Sequence, residues 1–227
     1  MLHETPRYAN YFIQWWWCHN NDDITFLAKM WRNAQYPEDP CETYMRLMEY
    51  DVNAFNDDIW NYAARCLTWD MDEIRNNGKR YIGRTAIPAT AISNVDTDWW
   101  RISAAKAPES TGSNAVRMTA AAGQTVKVTL HGLSELAGCT VGPQDLAGWR
   151  YGFVSYNSDG TTTYSPIWSA QDTEQSFNVP ANSQNLWFVV TGAPARYIRH
   201  PWGEDNGKPV SVWPWQAKFD GTKPYDR

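Results

Sequence analysis

Trp149-Arg150-Tyr151-Gly152-Phe153-Val154-Ser155-Tyr156-Asn157-Ser158-Asp159-Gly160-Thr161 is the run that decides the fold. Trp149, Tyr151 and Phe153 alternate with Arg150, Gly152 and Val154, the period of two that places one set of side chains on a buried sheet face. Asn157-Ser158-Asp159-Gly160 then predicts a tight primed turn, because Asp-Gly supplies the positive φ angles that such a turn needs. The run reads as a hairpin in which Arg150–Tyr156 returns as Thr161–Trp168.

Working outward, the same grammar recurs on both sides. Trp100–Ser103, Ala115–Thr119 and Thr125–Leu130 precede the hairpin, and Ser176–Val179, Leu186–Thr191 and Trp215–Phe219 follow it. Short strands at regular spacing, punctuated by Gly and Pro and without intervening helices, predict an antiparallel β-sandwich, jelly-roll-like in wiring, over residues 95–227.

Residues 1–84 are written differently. They hold two Gly and three Pro, against twelve and ten in the remainder. Ile24, Leu27, Ala28 and Trp31 repeat at helical spacing and predict one buried stripe. Asp39-Pro40-Cys41-Glu42 predicts a helix entry, with Asp39 as N-cap, Pro40 in the first turn and Glu42 reaching back to the cap. A further helix from about Asn53 places Phe55, Ile59, Tyr62, Ala63 and Cys66 on one stripe, is interrupted at Thr68-Trp69-Asp70 and ends by Gly78. The fold class expected is α+β: a short N-terminal helical region, the tail of a larger domain, followed by an accessory sandwich domain.

The 227 residues carry a net charge of −5, which argues against a nucleic-acid partner, since phosphate neutralisation needs an excess of Lys and Arg. No apolar run reaches the ~18 residues of a membrane span. Fourteen Trp are the unusual number, six of them before residue 85. Trp15-Trp16-Trp17 predicts an aromatic helical face that needs a cover, and Met1-Leu-His-Glu-Thr-Pro lacks the pattern of a signal peptide. Both readings point to a parent chain with an upstream partner region. Cys18, Cys41 and Cys66 leave open one disulfide or free buried thiols, and no Cys-x-x-Cys pair exists among the four cysteines.

Candidate chemistry is sparse. The cluster Asp70, Asp72 and Glu73 and the pair Asp57-Asp58 read better as helix-end charges than as an acid–base pair. Asp96 with Asp98, and Glu204-Asp205-Asn206, have the oxygen ligands for calcium without an EF-hand pattern. Ser155, Ser165 and Ser169 lack a nucleophile-elbow setting. Arg150 reads as a structural ion-pair partner, and Trp149 and Trp187 as core. No catalytic residue and no metal ligand set is assigned. The candidate ligand-binding residues are Trp202, Trp213, Trp215 and Trp168, indoles at strand ends or among prolines where an open face can stack on a sugar ring, with Arg199 and Asp205 to hydrogen-bond a hydroxyl. The competing expectation for Trp213-Pro214-Trp215 is a clamp against the helices.

Met30-Trp31-Arg32, Pro37-Glu38-Asp39-Pro40, Thr43–Leu47, Phe55–Ile59, Tyr62–Arg65, Thr68–Asp72, Gly148–Val154 and Leu186–Pro194 together resemble the C-terminal two-thirds of an uncharacterised secreted bacterial family often labelled "avirulence protein". The resemblance runs from about Tyr8 to Tyr225. It implies secretion or display at the cell surface, and a zinc-metallopeptidase-like domain whose His-Glu-x-x-His helix lies upstream. His3-Glu4 is followed by Thr5, Pro6 and Arg7, so the second histidine is missing and Pro6 breaks the helix. Zinc is expected only in that upstream domain and no cofactor in this chain. The two functions expected are a non-catalytic C-terminal portion of such a protein, or a Trp-rich carbohydrate-binding sandwich that meets a glycan or glycoprotein.

Overall fold

The computed structural model describes residues 11–78, 80, 82, 89–119, 121–199 and 210–225. Five helices come first: α1 (Phe12–Asn20), α2 (Phe26–Asn33), α3 (Pro40–Met48), α4 (Val52–Cys66) and α5 (Asp72–Gly78). The entry to α3 forms as the sequence dictates. Asp39 accepts from the Glu42 amide at 2.9 Å, and the Glu42 side chain accepts from the Asp39 amide at 2.8 Å. Asp51 caps α4 by accepting from the Ala54 amide at 2.8 Å.

The strands are β1 (Ile92–Asp96), β2 (Trp99–Ile102), β3 (Ser113–Met118), β4 (Thr125–Gly132), β5 (Thr140–Val141), β6 (Trp149–Asn157), β7 (Thr162–Tyr164), β8 (Glu174–Asn178), β9 (Ser183–Gly192), β10 (Ser211–Val212) and β11 (Trp215–Asp220). Two antiparallel sheets form, ordered β1-β2-β11-β4-β8 and β3-β9-β6-β7, with a small parallel pair β10-β5 beside them. They do not close into a barrel. Trp149, Tyr151, Phe153, Phe188 and Val190 from one sheet meet Val126, Val128, Leu130, Trp215 and Ala217 from the other in one core. The hairpin that decided the fold is present, but only Gly160 in its loop has a positive φ (85°). Gly160 donates to the Asn157 carbonyl at 3.0 Å, so the loop is a wider turn than the primed one expected. The strands missed by sequence are β1, β5 and β10; β5 and β10 have two residues each, too short to show alternation.

The helices build a second core, in which Trp16, Trp17, Tyr44, Phe55, Ile59 and Met71 are buried together. Trp16 and Trp17 are covered by the chain's own helices. The stripe expected on α2 is not the buried one. Phe26 and Met30 point inward, while Ile24 and Trp31 are exposed. The expected spacing was helical, but its phase was set by Trp31 where the packing is set by Phe26.

A third apolar cluster joins the two parts. Trp60 and Ala64 of α4, with Leu67 just after it, bury against Val154, Trp187 and Val189 on the outer face of the four-stranded sheet. Gly152 on β6 makes the space: a Cβ there would lie 2.7 Å from Trp60 Cζ2 and 2.6 Å from Ser165 Oγ. The Trp60 indole N–H donates to the Val189 carbonyl at 3.2 Å. Asn56 donates to the Pro194 carbonyl at 3.1 Å, and Arg150 of β6 binds Asp57 and Asn53. Asp57 and Asp58 are thus not simple first-turn charges. Asp57 ties α4 to the sheet. Asp58 is 4 % exposed, and accepts from the Trp16 indole at 3.1 Å and from Asn20 at 2.9 Å.

Two outcomes follow from this packing. Trp60→Ala is expected to cost about 3–5 kcal/mol, and Gly152→Ala about 1–3 kcal/mol through overpacking, both read from denaturant unfolding. Burial raises the Asp58 carboxyl to about 6, only partly offset by the Trp16 hydrogen bond. The unfolded chain ionises this group near 3.9, so the folded form holds its proton more tightly and loses stability as pH rises from about 4 to about 6. Wild type minus Asp58→Asn is therefore expected to gain about 1 kcal/mol of relative stability on going from about pH 7 to about pH 5. A flat difference between the two unfolding curves over that range would count against it.

Candidate functional site

Of the residues expected to bind ligand, the described ones, Trp168, Arg199, Trp213 and Trp215, have separate partners. Trp213 and Trp215 have no exposed surface and sit between the two sheets, neither as open platforms nor as a clamp on the helices. The Trp213 indole donates to Ser110 Oγ at 3.1 Å and its carbonyl accepts from the Trp149 indole at 2.9 Å. Gly142 leaves room for the Trp213 ring, since a Cβ there would lie 2.3 Å from it. Trp215 donates to Asn114 Oδ1 at 2.9 Å. The prolines that suggested open indole faces do not prevent pairing, because the Pro214 carbonyl accepts from Leu133 at 3.0 Å and β11 runs in the middle of its sheet.

Trp168 is half-buried, with its ring centroid 5.8 Å from Tyr151 and 6.2 Å from Phe153. Arg199 is spent on Glu42 at 2.6 Å, beside Tyr197, which donates to Asp39 at 2.6 Å. Together they fasten the 197–199 segment to the entry of α3. Trp202, Asp205 and the Glu204-Asp205-Asn206 run lie outside the described residues.

The other clusters weighed in the sequence are occupied structurally. Asp70 binds Arg65, Arg75 and the Tyr164 hydroxyl, each at 2.8 Å. Asp72 binds His19 at 2.7 Å. Asp96 Oδ1 accepts from Thr97. All four thiols are free, with Cys41 and Cys66 pushed up to about 12 by burial. Among the described residues no group of three or more His, Cys, Asp or Glu is placed to hold a metal ion, and no helix is long and apolar enough to cross a membrane.

A different surface carries converging groups. The outer face of the four-stranded sheet is covered by α4, whereas the five-stranded sheet turns outward a row that alternates with its core residues. Register places Trp99 opposite Lys218, and Gln216 between Arg101 and His131. The Lys218 ammonium lies 4.7 Å from the Trp99 ring centroid, and the His131 ring meets Trp99 edge-on at 6.0 Å. Arg101 donates twice to Gln216 Oε1, at 3.0 and 2.8 Å, and His131 Nδ1 pairs with Asp172 at 2.8 Å. The half-buried Trp99 ring thus has the Lys218 ammonium over one face and the His131 imidazole at its edge, with Arg101 and Gln216 further along the same strands and Asp172 held by His131. That is the composition of a site which stacks on a ring and hydrogen-bonds its rim. Sequence reading passed over it because Trp99 precedes the alternating stretch that begins at Trp100, and the strand order that brings β2 beside β11 is not written locally.

These features define a two-sheet β protein braced by helices, with an open polar-aromatic sheet face. The chain belongs to a family of unknown function, DUF6055, whose match spans residues 1–226. No curated protein matches it in sequence. Among solved structures it is similar to the Yersinia pseudotuberculosis-derived mitogen, at 7 % identity and a TM-score of 0.33 over 53 % of this chain and 81 % of that one. It is also similar to accessory secretory protein 1, 2 and 3 of Streptococcus pneumoniae, at 10 % identity and a TM-score of 0.27 over 63 % and 91 %. A third is the C-terminal family 22 carbohydrate binding module of Clostridium thermocellum Xyn10B, at 6 % identity and a TM-score of 0.23 over 57 % and 66 %. Likenesses this distant carry no argument about function.

Trp215→Ala is expected to cost about 3–5 kcal/mol, as for a fully buried Trp, with the loss seen directly in the thermal or denaturant midpoint. An unchanged midpoint would mean that the ring is not in the core.

Proposed function

We propose that this chain is the non-catalytic C-terminal portion of a secreted or cell-surface bacterial protein with a zinc-peptidase-like domain upstream. Its helical region, 1–84, braces a jelly-roll-like accessory sandwich, 95–227, which works by recognising a glycan or glycoprotein. The peptidase side of this reading is supported by the resemblance of the helix and strand motifs given above. The recognition side is carried by one observation, the asymmetry of the two sheets: α4 caps one outer face, and the other presents Trp99 among Lys218, His131, Gln216 and Arg101.

Stacking of a ring on an indole is worth on the order of 1–3 kcal/mol, taking the value for a base on an aromatic side chain. Hydrogen bonds from Arg101 or Gln216 would then fix which sugar is accepted. The test is retention of the purified chain on neutral and acidic polysaccharides, compared with Trp99→Ala, Arg101→Ala and Gln216→Ala. The expected result is at least about a tenfold loss for Trp99→Ala, a smaller loss for the two polar variants, and unchanged unfolding midpoints for the polar variants. Full retention in all three variants would defeat the sheet-face reading.

A further inference from the structure

The five-stranded sheet carries two cations that meet no carboxylate among the described residues, and both stand on its outward face. Register sets them there. Arg101 lies opposite Gln216, and Lys218, two residues further along β11, lies opposite Trp99. Trp99, Arg101, Gln216 and Lys218 therefore share one face, while Ile102, Trp215 and Ala217 turn to the core between them. Arg101 and Lys218 are diagonal neighbours on paired interior strands, about 7–8 Å apart along the backbone.

Each of the two is held by a neutral partner. Arg101 Nε and Nη2 donate to Gln216 Oε1 at 3.0 and 2.8 Å, and the Lys218 ammonium lies 4.7 Å from the Trp99 ring centroid. Elsewhere cations are neutralised directly: Arg46, Arg65, Arg75, Arg150 and Arg199 each pair with an Asp or Glu. The same face shows the contrast. Lys127 pairs with Glu174 at 2.9 Å and stands opposite Asp220, and His131 pairs with Asp172 at 2.8 Å. Asp96 and Asp98 mark the β1–β2 turn, on the side of Trp99 away from Arg101, and Asp96 Oδ1 accepts from the Thr97 amide at 2.7 Å. Two like charges set this close repel one another, and an anion placed between them removes that repulsion.

The ammonium over the indole also narrows the ligand. An uncharged pyranose approaching that ring face would have to displace Lys218 from an attractive contact, whereas a sugar bearing a carboxylate or sulfate group is drawn to the ammonium. The Gln216 amide, gripped by Arg101, keeps the guanidinium on the same side of the sheet to share the charge.

We propose that Arg101 and Lys218 form the anion subsite of this face, and that the glycan it takes is acidic, a polysaccharide whose rings carry carboxylate or sulfate groups. It rests on the sheet-face reading and adds the charge of the ligand. The test is binding of the full chain to immobilised polygalacturonate, dextran sulfate, dextran and polyglutamate. Wild type, Arg101→Gln, Lys218→Gln, Lys127→Gln and Trp99→Ala are compared. Wild type is expected to bind at least one acidic polysaccharide about tenfold or more tighter than dextran, and to weaken as salt rises from about 0.05 to about 0.5 M. Arg101→Gln and Lys218→Gln are each expected to lose about tenfold at unchanged unfolding midpoints. Lys127→Gln removes the same unit charge from the same face and is expected to keep its affinity. Binding to polygalacturonate alone assigns a carboxylate and to dextran sulfate alone a sulfate, and either upholds the subsite. Dextran bound as tightly as the acidic polymers, with loss in Trp99→Ala, overturns the acidic assignment and leaves the sheet-face reading standing. An equal loss in Lys127→Gln overturns it, because the charge of the whole face would then be what binds. So does polyglutamate bound as tightly as the acidic polysaccharides, which would give the cation pair to an acidic protein. No binding to any of the four polymers overturns the subsite and the sheet-face reading together.

Discussion

The contact between Trp60 and the bare backbone of Gly152 is the constraint on which the rest of the arrangement depends. A helix can lie flat on a sheet only where the sheet leaves room for its largest side chain, and Gly152 is that room. Once the indole is seated, its N–H must find an acceptor in the dry interface, and the Val189 carbonyl supplies it. Asn56 and the Arg150–Asp57 pair then fix the helix along its length. The outcome is directional. One outer sheet face is consumed by the helices, so among the described residues the outward row of the five-stranded sheet is the face that α4 leaves uncovered.

The same rule about indole N–H groups explains where the tryptophans went. A buried Trp adds more apolar contact than other residues but brings a donor that cannot be left alone cheaply. Trp16 uses Asp58, Trp149 uses the Trp213 carbonyl, Trp213 uses Ser110 and Trp215 uses Asn114. Trp17 and Trp69 are the buried indoles among the described residues whose N–H finds no partner. The Asp58 solution is the costly one, because a carboxylate is desolvated to serve neutral donors. Its raised pKa is the measure of that cost.

Much of the fold was legible. The Asp39 capping box and the alternation in β4, β6 and β9 are local signals, and local hydrogen bonds and period-two burial make them come true. What failed was each inference that needed tertiary phase. Ile24 and Trp31 share a helical period with residues that are buried, but the period fixes spacing and not which face turns inward. Trp213-Pro214-Trp215 read as a strand end among prolines, or at most an edge strand, because proline is rare in a central strand. It is one here because Pro214 stands at the strand's entry, where only its carbonyl is asked to pair. The site suffers most from this limit. Trp99, Lys218, Arg101, Gln216 and His131 come from three strands that are far apart in the chain, and only the register of β11 between β2 and β4 brings them together.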